Sequence, residues 1–392
     1  MPLRDISTPT LLLDEAVCRR NITRMHRKAA RLGVLFRPHF KTHQSRRVAT
    51  WFREAGVTAI TVSSVGMARY FADAGWTDIT IAFPVNPREV DEIRALAERL
   101  DLGVLVESPE VARQLDCRLR VAVRTWLKVD TGYGRTGIPY HEHARLQETA
   151  SAVASSDHLR LCGLLTHGGD SYHAADAVEA ARRFDASRMR LLAAAAVLRA
   201  EHPGLRLSVG DTPGCVAAED FAGIDEIRPG NFVFHDVMQL RRGSCDAGDI
   251  AVALACPVVA VHPAREEAVI HGGAVHLSSE RLAAAGEDPI FGLVAPLRAD
   301  GWDTPIHGAA VVRLSQEHGV VRLPARSLRG LRAGDLLAIL PIHSCLTAEC
   351  ARGYRSLDGT PVDHYAGRPH DTWREIAQHG CHKIITPETP LS

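Results

Sequence analysis

Short apolar runs alternate with amphipathic stretches over the first two-thirds of the chain. The apolar runs have the length and composition of buried strands, and they cover residues 34–39, 58–63, 78–83, 102–106, 124–130, 159–167, 206–210 and 226–234. The intervening stretches have helical spacing; in residues 87–100, for example, Val90, Ile93 and Leu96 share one face. This alternation predicts an α/β protein with a (β/α)8 TIM barrel. A doubly wound sheet also alternates, so the count alone leaves both folds open.

The pattern changes near residue 245. The later strand-like runs are divided by glycine, proline and charge, and they cover residues 255–263, 266–273, 307–324 and 335–344. They predict a β-rich C-terminal domain after the barrel, and the N-terminal run STPTLLLD is able to pair with it. We therefore expect residues 14–246 to form the barrel, and residues 1–13 with 247–392 to form the second domain. The polar segment after about residue 366 is expected to be peripheral.

Composition narrows the class of protein. The 392 residues carry 46 basic and 46 acidic side chains, with no long basic run, which argues against binding to nucleic acid or to an anionic membrane. The apolar runs are too short and too interrupted by charge for a membrane span, and the N-terminus lacks the features of a signal peptide. Nine scattered cysteines favour a reducing compartment. We expect a soluble cytoplasmic protein.

A single lysine, Lys41, follows the first predicted strand in the segment RPHFKTHQ (37–44). Active sites of TIM barrels lie at the C-terminal ends of the strands, and a lysine there can form a Schiff base if burial or nearby cations depress its pKa. His39 and His43 would share a face with Lys41 on an extended backbone. From these eight residues alone, an ordinary solvated lysine is the more frequent case.

Glycine-flanked turns follow the seventh predicted strand and lie within the eighth, in VGDTPG (209–214) and RPGNF (228–232). Their backbone N–H groups and the Thr212 hydroxyl are suited to binding phosphate, which barrel enzymes often hold at these loops. Each sequence is also typical of an ordinary turn. A Schiff-base lysine opposite such a phosphate cup would together form a pyridoxal 5'-phosphate site.

Two further loops and one pair of residues carry candidate chemistry. The segment KVDTGYGRTG (128–137) has a glycine-rich turn that would aim Arg135 into the barrel mouth, although an exposed loop with an incidental arginine is as frequent. The segment THGGDSYH (166–173) supplies His167 and Tyr172. In PIHSCLTAEC (341–350), His343 and Cys345 would face one way on an extended strand and form an open metal site, although a chance pairing is more frequent.

These motifs occur in the order PHFKTH, KVDTGYGRTG, THGGDSY, GDTPG, EIRPGNF and PIHSC. In this order they resemble the D-serine dehydratase/D-threonine aldolase family of fold type III pyridoxal phosphate enzymes, which are relatives of alanine racemase. The resemblance extends from about residue 5 to residue 355. It implies that Lys41 holds the cofactor and that Arg135 lies near its phenolic oxygen. It also implies that Thr212, Gly230 and Asn231 bind its phosphate.

The resemblance also implies roles for the remaining candidates. Tyr172 matches a tyrosine near the pyridine nitrogen, with Arg228 as the competitor for that role, and His167 is counted among the cofactor-binding residues. His343 and Cys345 match a metal pair. The pair resembles the zinc-dependent dehydratase branch, whereas the aldolase branch more often has His-x-Asp with Mn²⁺ or Mg²⁺.

The implied activity is metal-assisted β-elimination from a D-β-hydroxy amino acid, of the D-serine or D-threo-3-hydroxyaspartate type, to a keto acid and ammonia. Retro-aldol cleavage to glycine and an aldehyde, and racemisation, remain alternatives; Lys128 matches a position familiar in alanine racemase. A homodimer is implied, with His343 and Cys345 reaching a cofactor held by the partner subunit's Lys41. The stretch HGGAVH (271–276) departs from the many relatives that have an acidic residue and a lysine there, so His271 and His276 leave the substrate open.

Overall fold

The chain folds into two sheets with different strand directions. The computed structural model describes residues 5–283 and 288–365, so the segment expected to be peripheral after about residue 366 lies outside the described residues. The first strand, β1 (Thr10–Leu13), belongs to the second sheet. The strands that follow form the first sheet: β2 (Leu35–Phe36), β3 (Ala59–Val62), β4 (Asp78–Pro84), β5 (Asp101–Val106), β6 (Val123–Asp130), β7 (Ile138–Pro139), β8 (Leu159–Leu165), β9 (Arg206–Val209) and β10 (Glu226–Ile227).

The first sheet is a parallel barrel. Its strand order is β2-β10-β9-β8-β6-β5-β4-β3, with the short β7 attached to β6. A parallel bridge between His39 and Thr61 joins the two ends of this order. Two hydrogen bonds make the bridge, from the Phe40 N–H to the Thr61 carbonyl (2.9 Å) and from the Thr61 N–H to the Pro38 carbonyl (2.9 Å). The predicted (β/α)8 TIM barrel is thus confirmed.

Helices surround this barrel: α1 (Glu15–Arg31), α2 (Arg46–Glu54), α3 (Val65–Ala72), α4 (Val90–Ala97), α5 (Pro109–Asp116), α6 (His143–Ala154), α7 (Ala177–Leu198), α8 (Thr212–Ala217) and α9 (Val237–Arg241). The predicted helical face is buried, since Val90, Ile93 and Leu96 all lie in the core. Ser45 and Ser64 cap α2 and α3, because their hydroxyl oxygens accept a backbone N–H from the first helical turn.

The eighth predicted strand is much shorter than expected. It was predicted over residues 226–234, but β10 ends at Ile227 and residues Asn231–Val233 form a 3-10 helix. Pro229 has no N–H for the ladder, so the strand stops before it. A Cβ on Gly230 would lie 2.9 Å from the carbonyl oxygen of His39, which is closer than side chains pack. The missing side chain therefore allows this loop to approach the end of β2.

Buried charges fill one end of the barrel. The Arg37 guanidinium donates to Glu226 Oε2 (2.9 Å) and to Asp78 Oδ1 (2.6 Å). Burial on its own would raise the pKa of Glu226, but the charge of Arg37 and a hydrogen bond from Ser208 lower it. This ion cluster holds the Glu226 carboxylate in place. Glu226 in turn positions side chains that lie nearer the barrel mouth.

The second sheet is mainly antiparallel. It contains β1 and the later strands β11 (Val252–His262), β12 (Glu267–His271), β13 (Gly292–Arg298), β14 (Gly301–Trp302), β15 (Ala310–Leu314), β16 (His318–Arg322), β17 (Leu336–Pro341), β18 (Tyr354–Ser356) and β19 (Pro361–Val362). Three short helices accompany it: α10 (Ala274–Leu277), α11 (Ala325–Leu328) and α12 (Ser344–Ala351).

Strand β1 pairs with two strands from the later part of the chain. It runs antiparallel to β11, with Thr10 opposite Ala255, and parallel to β18. The expected pairing of the N-terminal run with the later domain is confirmed, and the domain boundaries at residues 13 and 246 stay a prediction. Among the helices of residues 5–283 and 288–365, none has the length and apolar content that a membrane crossing requires.

Candidate active site

Lys41 lies in a turn directly after the bridge that closes the barrel. The Gln44 N–H donates to the Phe40 carbonyl (3.0 Å), which folds residues 40–44 back on themselves. The Lys41 side chain is exposed at the barrel mouth, and its own N–H donates to His39 Nδ1 (3.3 Å). The placement at the C-terminal end of the first barrel strand agrees with the expectation.

His43 does not share a face with Lys41, because residues 40–44 form a turn and the extended backbone on which that expectation depended is absent here. The turn points the His43 ring into the core, where it is fully buried. It stacks on Phe52, with ring centroids 5.5 Å apart, and meets the edge of Phe40 at 4.4 Å. Burial lowers the pKa of His43 to about 3. This histidine is therefore neutral and part of the packing beneath the turn.

Several cationic side chains converge on His39. Burial lowers the pKa of His39 well below its ordinary value, and the charges of Lys41, Arg228 and Arg135 lower it further. These side chains come from the ends of different barrel strands, and the fold brings them to the same mouth. Such a concentration of positive charge suits an anionic group, for example a phosphate or a carboxylate.

The loop that carries Arg135 is shaped by Asp130. The Asp130 carboxylate accepts the backbone N–H groups of Gly132 (2.9 Å), Tyr133 (2.9 Å) and Gly134 (3.0 Å). Both glycines have positive φ angles, 115° and 75°, which residues with a side chain rarely adopt. The tight turn leaves Arg135 exposed, with its guanidinium 5.5 Å from the centre of the Tyr133 ring.

His167 has a defined tautomer. Its Nδ1 lies 2.6 Å from the carbonyl oxygen of Gly210, which can only accept a hydrogen bond, so Nδ1 carries the proton. Burial and the charges of Arg135 and Lys41 lower the pKa of His167 well below its ordinary value. The ring is therefore neutral, and its Nε2 is an acceptor at the barrel mouth.

Arg228 has one donor with no partner. Its Nη2 donates to the carbonyl of Thr166 (2.6 Å) and its Nη1 donates to Ser208 Oγ, whose hydroxyl in turn donates to Glu226 (2.6 Å). The Nε of Arg228 is buried and has no hydrogen-bond partner within the described residues. Burial lowers the pKa of Arg228 to about 10, so the guanidinium remains charged near neutral pH. A buried unpaired N–H of this kind requires an acceptor.

The predicted phosphate residues lie together. The Gly230 N–H donates to Thr212 Oγ1 (3.3 Å), and the Thr212 N–H donates to the Tyr172 hydroxyl oxygen (3.3 Å). Burial raises the pKa of Tyr172, so the phenol stays protonated. Tyr172 thus contacts the phosphate-loop candidates.

The side chain of Asn231 forms hydrogen bonds away from the predicted phosphate site. Its Nδ2 donates to Asp236 Oδ2 (2.7 Å) and to Ser344 Oγ (2.9 Å) of the second domain. The amide N–H groups of its side chain are therefore used between the domains, and only its backbone N–H is left for a phosphate.

His343 and Cys345 do not lie on an extended strand, so that expectation is wrong. Strand β17 ends at Pro341, His343 is the N-cap of α12, and Cys345 lies in the first helical turn. The buried Asp236 carboxylate accepts the Ser344 N–H (3.0 Å), which supports the start of the helix at this point. The two side chains nevertheless meet, because the N-cap and the first turn of a helix can present side chains to one another.

The pair has the charges of a thiolate and an imidazolium. Burial on its own would raise the pKa of the Cys345 thiol, but the charge of His343 and its hydrogen bond lower it to about 7. Burial on its own would lower the pKa of His343, but the charge of Cys345 raises it to about 9. Metal binding requires the deprotonated thiol, which this pairing favours.

Cys345 reaches the turn of Lys41 within one chain. Its Sγ lies 3.2 Å from Oγ1 of Thr42, the residue after Lys41. The expectation that the pair approaches the partner subunit's Lys41 stays a prediction, and within one chain the pair lies beside the turn of Lys41. The contact joins residues 303 positions apart in sequence.

Sequence reasoning missed Thr42, Ser208 and Asp236. Ser208 interrupts the apolar run RLSVG (206–210), and a polar residue inside a buried strand is a signal that could have pointed to it. Thr42 and Asp236 carry no such signal, because their partners come from the other domain.

His271 and His276 lie against Glu317, with their Nε2 atoms 3.6 and 3.7 Å from Oε2.

Comparison with known proteins agrees with this architecture. The family described as alanine racemase, N-terminal domain, matches residues 13–237, and the family described as putative serine dehydratase domain matches residues 251–356. The chain is 31% identical over 370 residues to a D-threo-3-hydroxyaspartate dehydratase of Delftia sp. (strain HT23), which covers 91% of this chain and 95% of the relative. It is 26% identical to a D-serine dehydratase of Dictyostelium discoideum, covering 95% and 98%.

A D-threonine aldolase of Arthrobacter sp. is 25% identical and covers 86% of this chain and 85% of the relative. The solved structure of the Delftia dehydratase has a TM-score of 0.86 at 29% identity, covering 93% and 99%. Solved variants of a D-threo-3-hydroxyaspartate dehydratase include a histidine-to-alanine form and a cysteine-to-alanine form described as metal-free. Their substituted positions are two apart, as are His343 and Cys345. The chain therefore belongs to the D-serine dehydratase/D-threonine aldolase family of fold type III pyridoxal phosphate lyases, in which an alanine racemase N-terminal domain is joined to a serine dehydratase domain.

Proposed function

We propose that this protein eliminates the β-hydroxyl group of a small D-β-hydroxy amino acid and releases a keto acid and ammonia. One observation carries the proposal: Cys345 Sγ lies 3.2 Å from Thr42 Oγ1, so the thiolate–imidazolium pair adjoins the turn that presents Lys41. A lysine for the cofactor and a donor pair for a metal are then neighbours at one barrel mouth. The substrates of the Delftia and Dictyostelium relatives, D-threo-3-hydroxyaspartate and D-serine, define the class of substrate that we propose.

The residues fit pyridoxal phosphate, which when bound supplies an electron sink for negative charge at the substrate Cα. In the proposal Lys41 holds the cofactor, and its amine moves the Cα proton. The unpaired Arg228 Nε fits an acceptor such as the ring nitrogen. We therefore propose Arg228 for that contact, because its Nε is a buried donor without a partner among the described residues, whereas the Tyr172 hydroxyl lies beside Thr212 of the phosphate loop.

The other cofactor contacts follow from position. We propose that Thr212, Gly230 and the backbone N–H of Asn231 hold the phosphate, because these groups meet where the loops approach closely. Arg135 is proposed for the phenolic oxygen, since its charge reaches both His39 and His167. His167 offers its neutral ring as a further contact at the mouth.

We propose that the metal is zinc, which when bound supplies a Lewis acid for the β-hydroxyl group. Thiolate and imidazole are ligands that zinc prefers, whereas Mg²⁺ and Mn²⁺ favour oxygen. His343 and Cys345 supply two ligands, which leaves positions for water and substrate. The chain's part is to keep the Cys345 thiol deprotonated and His343 beside it.

A panel of D-amino acids, assayed with zinc, with manganese and with a chelator, tests the reaction. We expect D-serine or a D-3-hydroxy acid to give a keto acid and ammonia with zinc, and no product with the chelator. Cys345→Ala should abolish the elimination while the cofactor stays bound. Elimination at the wild-type rate by chelator-treated Cys345→Ala protein contradicts the proposal.

Retro-aldol cleavage is the second candidate, because the aldolase of Arthrobacter is 25% identical to this chain over 85% of its own length. The same panel separates the two reactions, since cleavage yields glycine and an aldehyde. Racemisation would need a second base on the other face of the cofactor. Lys128 is buried with its Nζ donating to the carbonyls of Val129 (3.0 Å) and Thr136 (3.3 Å), an arrangement that gives a racemase no added support.

Cofactor attachment is tested separately. The chain has four lysines, Lys28, Lys41, Lys128 and Lys383. We expect borohydride reduction to abolish the visible absorbance of the purified protein and to leave a modified peptide that contains Lys41. Lys41→Ala should lack that absorbance, whereas the control Lys28→Ala, a half-buried lysine on α1 that is bound to Val216 and Glu219, should keep it. Equal absorbance in Lys41→Ala and wild type removes the basis for this function.

Assembly and location also remain proposals. The resemblance implies a homodimer, and the cysteine usage favours the cytoplasm. Sedimentation at several protein concentrations checks the first, and a mass of one chain throughout contradicts it.

A further inference from the structure

Outside the site just described, three potential metal ligands lie together in the second domain. The side chains of His271, His276 and Glu317 each offer a ligand atom, and these atoms all lie within 4.8 Å of one another. The rings of the two histidines meet at 87°, with centroids 5.4 Å apart. Both histidines are half-buried and Glu317 is exposed, so solvent can reach the cluster.

The fold holds these ligands in place from two separate segments. The histidines lie on β12 and α10, and Glu317 lies in the turn between β15 and β16. The Gly272 N–H donates to the Glu317 carbonyl (2.9 Å), and the Ala274 N–H donates to the Ser315 carbonyl (2.8 Å). A Cβ on Gly273 would overlap the carbonyl oxygen of Gln316. The glycines thus allow the two segments to lie closer than side chains would permit.

We propose that His271, His276 and Glu317 bind a zinc ion, separately from the His343–Cys345 pair. Two imidazoles and one carboxylate form a donor set that zinc accepts with a fourth position left for water. Glu317 supplies the negative charge, and its Oε2 lies 3.6 and 3.7 Å from the two Nε2 atoms. These two distances are too long for hydrogen bonds, and an ion placed between the atoms would give each of them a partner.

The protonation states are compatible with such a site. Burial lowers the pKa of His276, so its ring is neutral near pH 7 and keeps a lone pair for a metal. The Gly273 N–H donates to His276 Nδ1 (3.2 Å), which places the ring proton on Nε2. Binding through Nε2 requires the ring proton to move to Nδ1, so the hydrogen bond from Gly273 is lost when the ion binds.

This zinc site is not part of the proposed reaction. Its expected effect is on the stability of the second domain. A shared ion would link the end of β12 to the β15–β16 turn. Helix α10, which carries His276, also contacts α12: the Thr347 hydroxyl donates to the Leu277 carbonyl (3.1 Å). Zinc is therefore expected to stabilise the part of the domain on which α12 rests.

Zinc content of variants tests the proposal independently of activity. Cys345→Ser disables the pair near Lys41, so any zinc retained after exposure to a weak chelator reports on the second site. We expect one zinc per chain in Cys345→Ser, and none when His271→Ala and Glu317→Gln are added. His318→Ala is the matched control, because His318 is an exposed histidine beside Glu317 in sequence and lies opposite His271 on β16.

The outcomes are distinguishable. Complete loss of zinc from Cys345→Ser, or equal zinc in the triple variant, overturns the proposal. If the first site is wrong, wild type and Cys345→Ser carry the same zinc, yet the triple variant still loses it. Should the triple variant fail to fold by circular dichroism, Glu317→Gln alone serves, because its exposed side chain is replaced at constant shape. We expect this variant to bind zinc at least about 10-fold more weakly. Loss of a group that only hydrogen-bonds to a ligand already weakens metal binding by that factor, and Glu317 is itself a proposed ligand.

Discussion

At the level of single residues, neighbouring charge decides which buried thiol can react. Burial raises the pKa of Cys215 and Cys256; the charges of Arg228 and Lys28 lower the pKa of Cys215, but they do not offset its burial. Cys345 differs because His343, Lys41 and the Thr42 hydroxyl favour its thiolate. The same residue type thus stays a protonated thiol in one place and has a favoured thiolate in another.

The first prediction concerns this thiol. In metal-free protein, alkylation of Cys345 by iodoacetamide should follow a titration with a midpoint near 7, because the thiolate is the reacting form. His343→Ala removes the cation, so the midpoint should rise by at least about one pH unit. Peptide mass spectrometry across a pH series measures it, with the buried Cys215 as the internal control that stays unmodified while the fold is intact. An unchanged midpoint in His343→Ala contradicts the assignment.

At the residue scale the sequence singled out candidate residues. Motif order indicated Lys41, His343 and Cys345, because chemistry restricts the residue types at such positions, and their roles stay predictions. Their partners could not be predicted in the same way. Thr42 contacts Cys345 across 303 positions and Asp236 contacts Ser344 across 108, and no local pattern encodes contacts of that separation.

At the level of elements, close approach depends on where side chains are missing. Gly163 lies within β8 with φ of 156°, and a Cβ there would overlap the carbonyl oxygen of Arg206 on β9. The neighbouring pairing of β8 with β6 shifts its register at this position. The barrel therefore needs a residue without a side chain at this point of β8.

We predict that Gly163→Ala destabilises the protein by about 3 kcal/mol or more, because backbone strain and overpacking add. Thermal unfolding of purified variants measures the change. Gly204→Ala is the control, since a Cβ there has nothing within 4 Å and the backbone is not in the left-handed region. Equal loss in both variants would mean that the contact with Arg206 is relieved by small shifts.

Helix α2 receives a cap from the far end of the chain. The Asp363 carboxylate accepts the N–H groups of Arg46 (2.8 Å) and Arg47 (3.1 Å), the first residues of that helix, and the Ser45 hydroxyl (2.8 Å). Burial would raise the pKa of Asp363, but a hydrogen bond from Tyr70 and the two N–H groups lower it. The carboxylate is therefore held charged at a helix N-terminus, where negative charge is favoured.

We predict that Asp363→Ala lowers the free energy of unfolding by about 1–2 kcal/mol at neutral pH. A depressed folded pKa adds stability above the unfolded value, and that stability is lost as pH falls through the folded value. The difference between variant and wild type should therefore shrink in acid. Urea unfolding at neutral and acidic pH measures it, with the exposed Asp157→Ala as control. A difference that is constant with pH contradicts the charge argument.

The elements show where a periodic pattern succeeds and where it fails. The pattern of apolar residues predicts the barrel strands and α4, because buried positions repeat regularly along each of these elements. The eighth strand was overextended past Pro229, and the region of His343 was read as a strand although α12 begins there. In both places a local cap or a missing N–H ends the element, which the apolar pattern does not record.

At the scale of the whole molecule, the site exists because two domains meet. The barrel supplies Lys41, Thr42 and Arg228, and the second domain supplies His343 and Cys345. Asp236 joins them at the boundary, where its buried carboxylate accepts Ser344 N–H (3.0 Å) and Asn231 Nδ2 (2.7 Å). The geometry of the His343–Cys345 pair relative to Lys41 therefore depends on how the domains dock.

Asp236→Ala tests this dependence. We predict metal affinity about 10–100-fold weaker, because the substitution removes the group that positions the start of α12 without removing a metal ligand. The absorbance of the bound cofactor should persist, since Lys41 keeps its own turn. Competition with a zinc chelator measures the affinity, in the His271→Ala, Glu317→Gln background so that zinc held there does not contribute. Asp246→Ala is the control on the same connecting segment, and Asp236→Asn should restore part of the affinity because its amide oxygen can accept the Ser344 N–H. If affinity stays at the wild-type level in Asp236→Ala, the domains dock without this carboxylate, and Thr42 with Cys345 is then the contact that positions the metal pair.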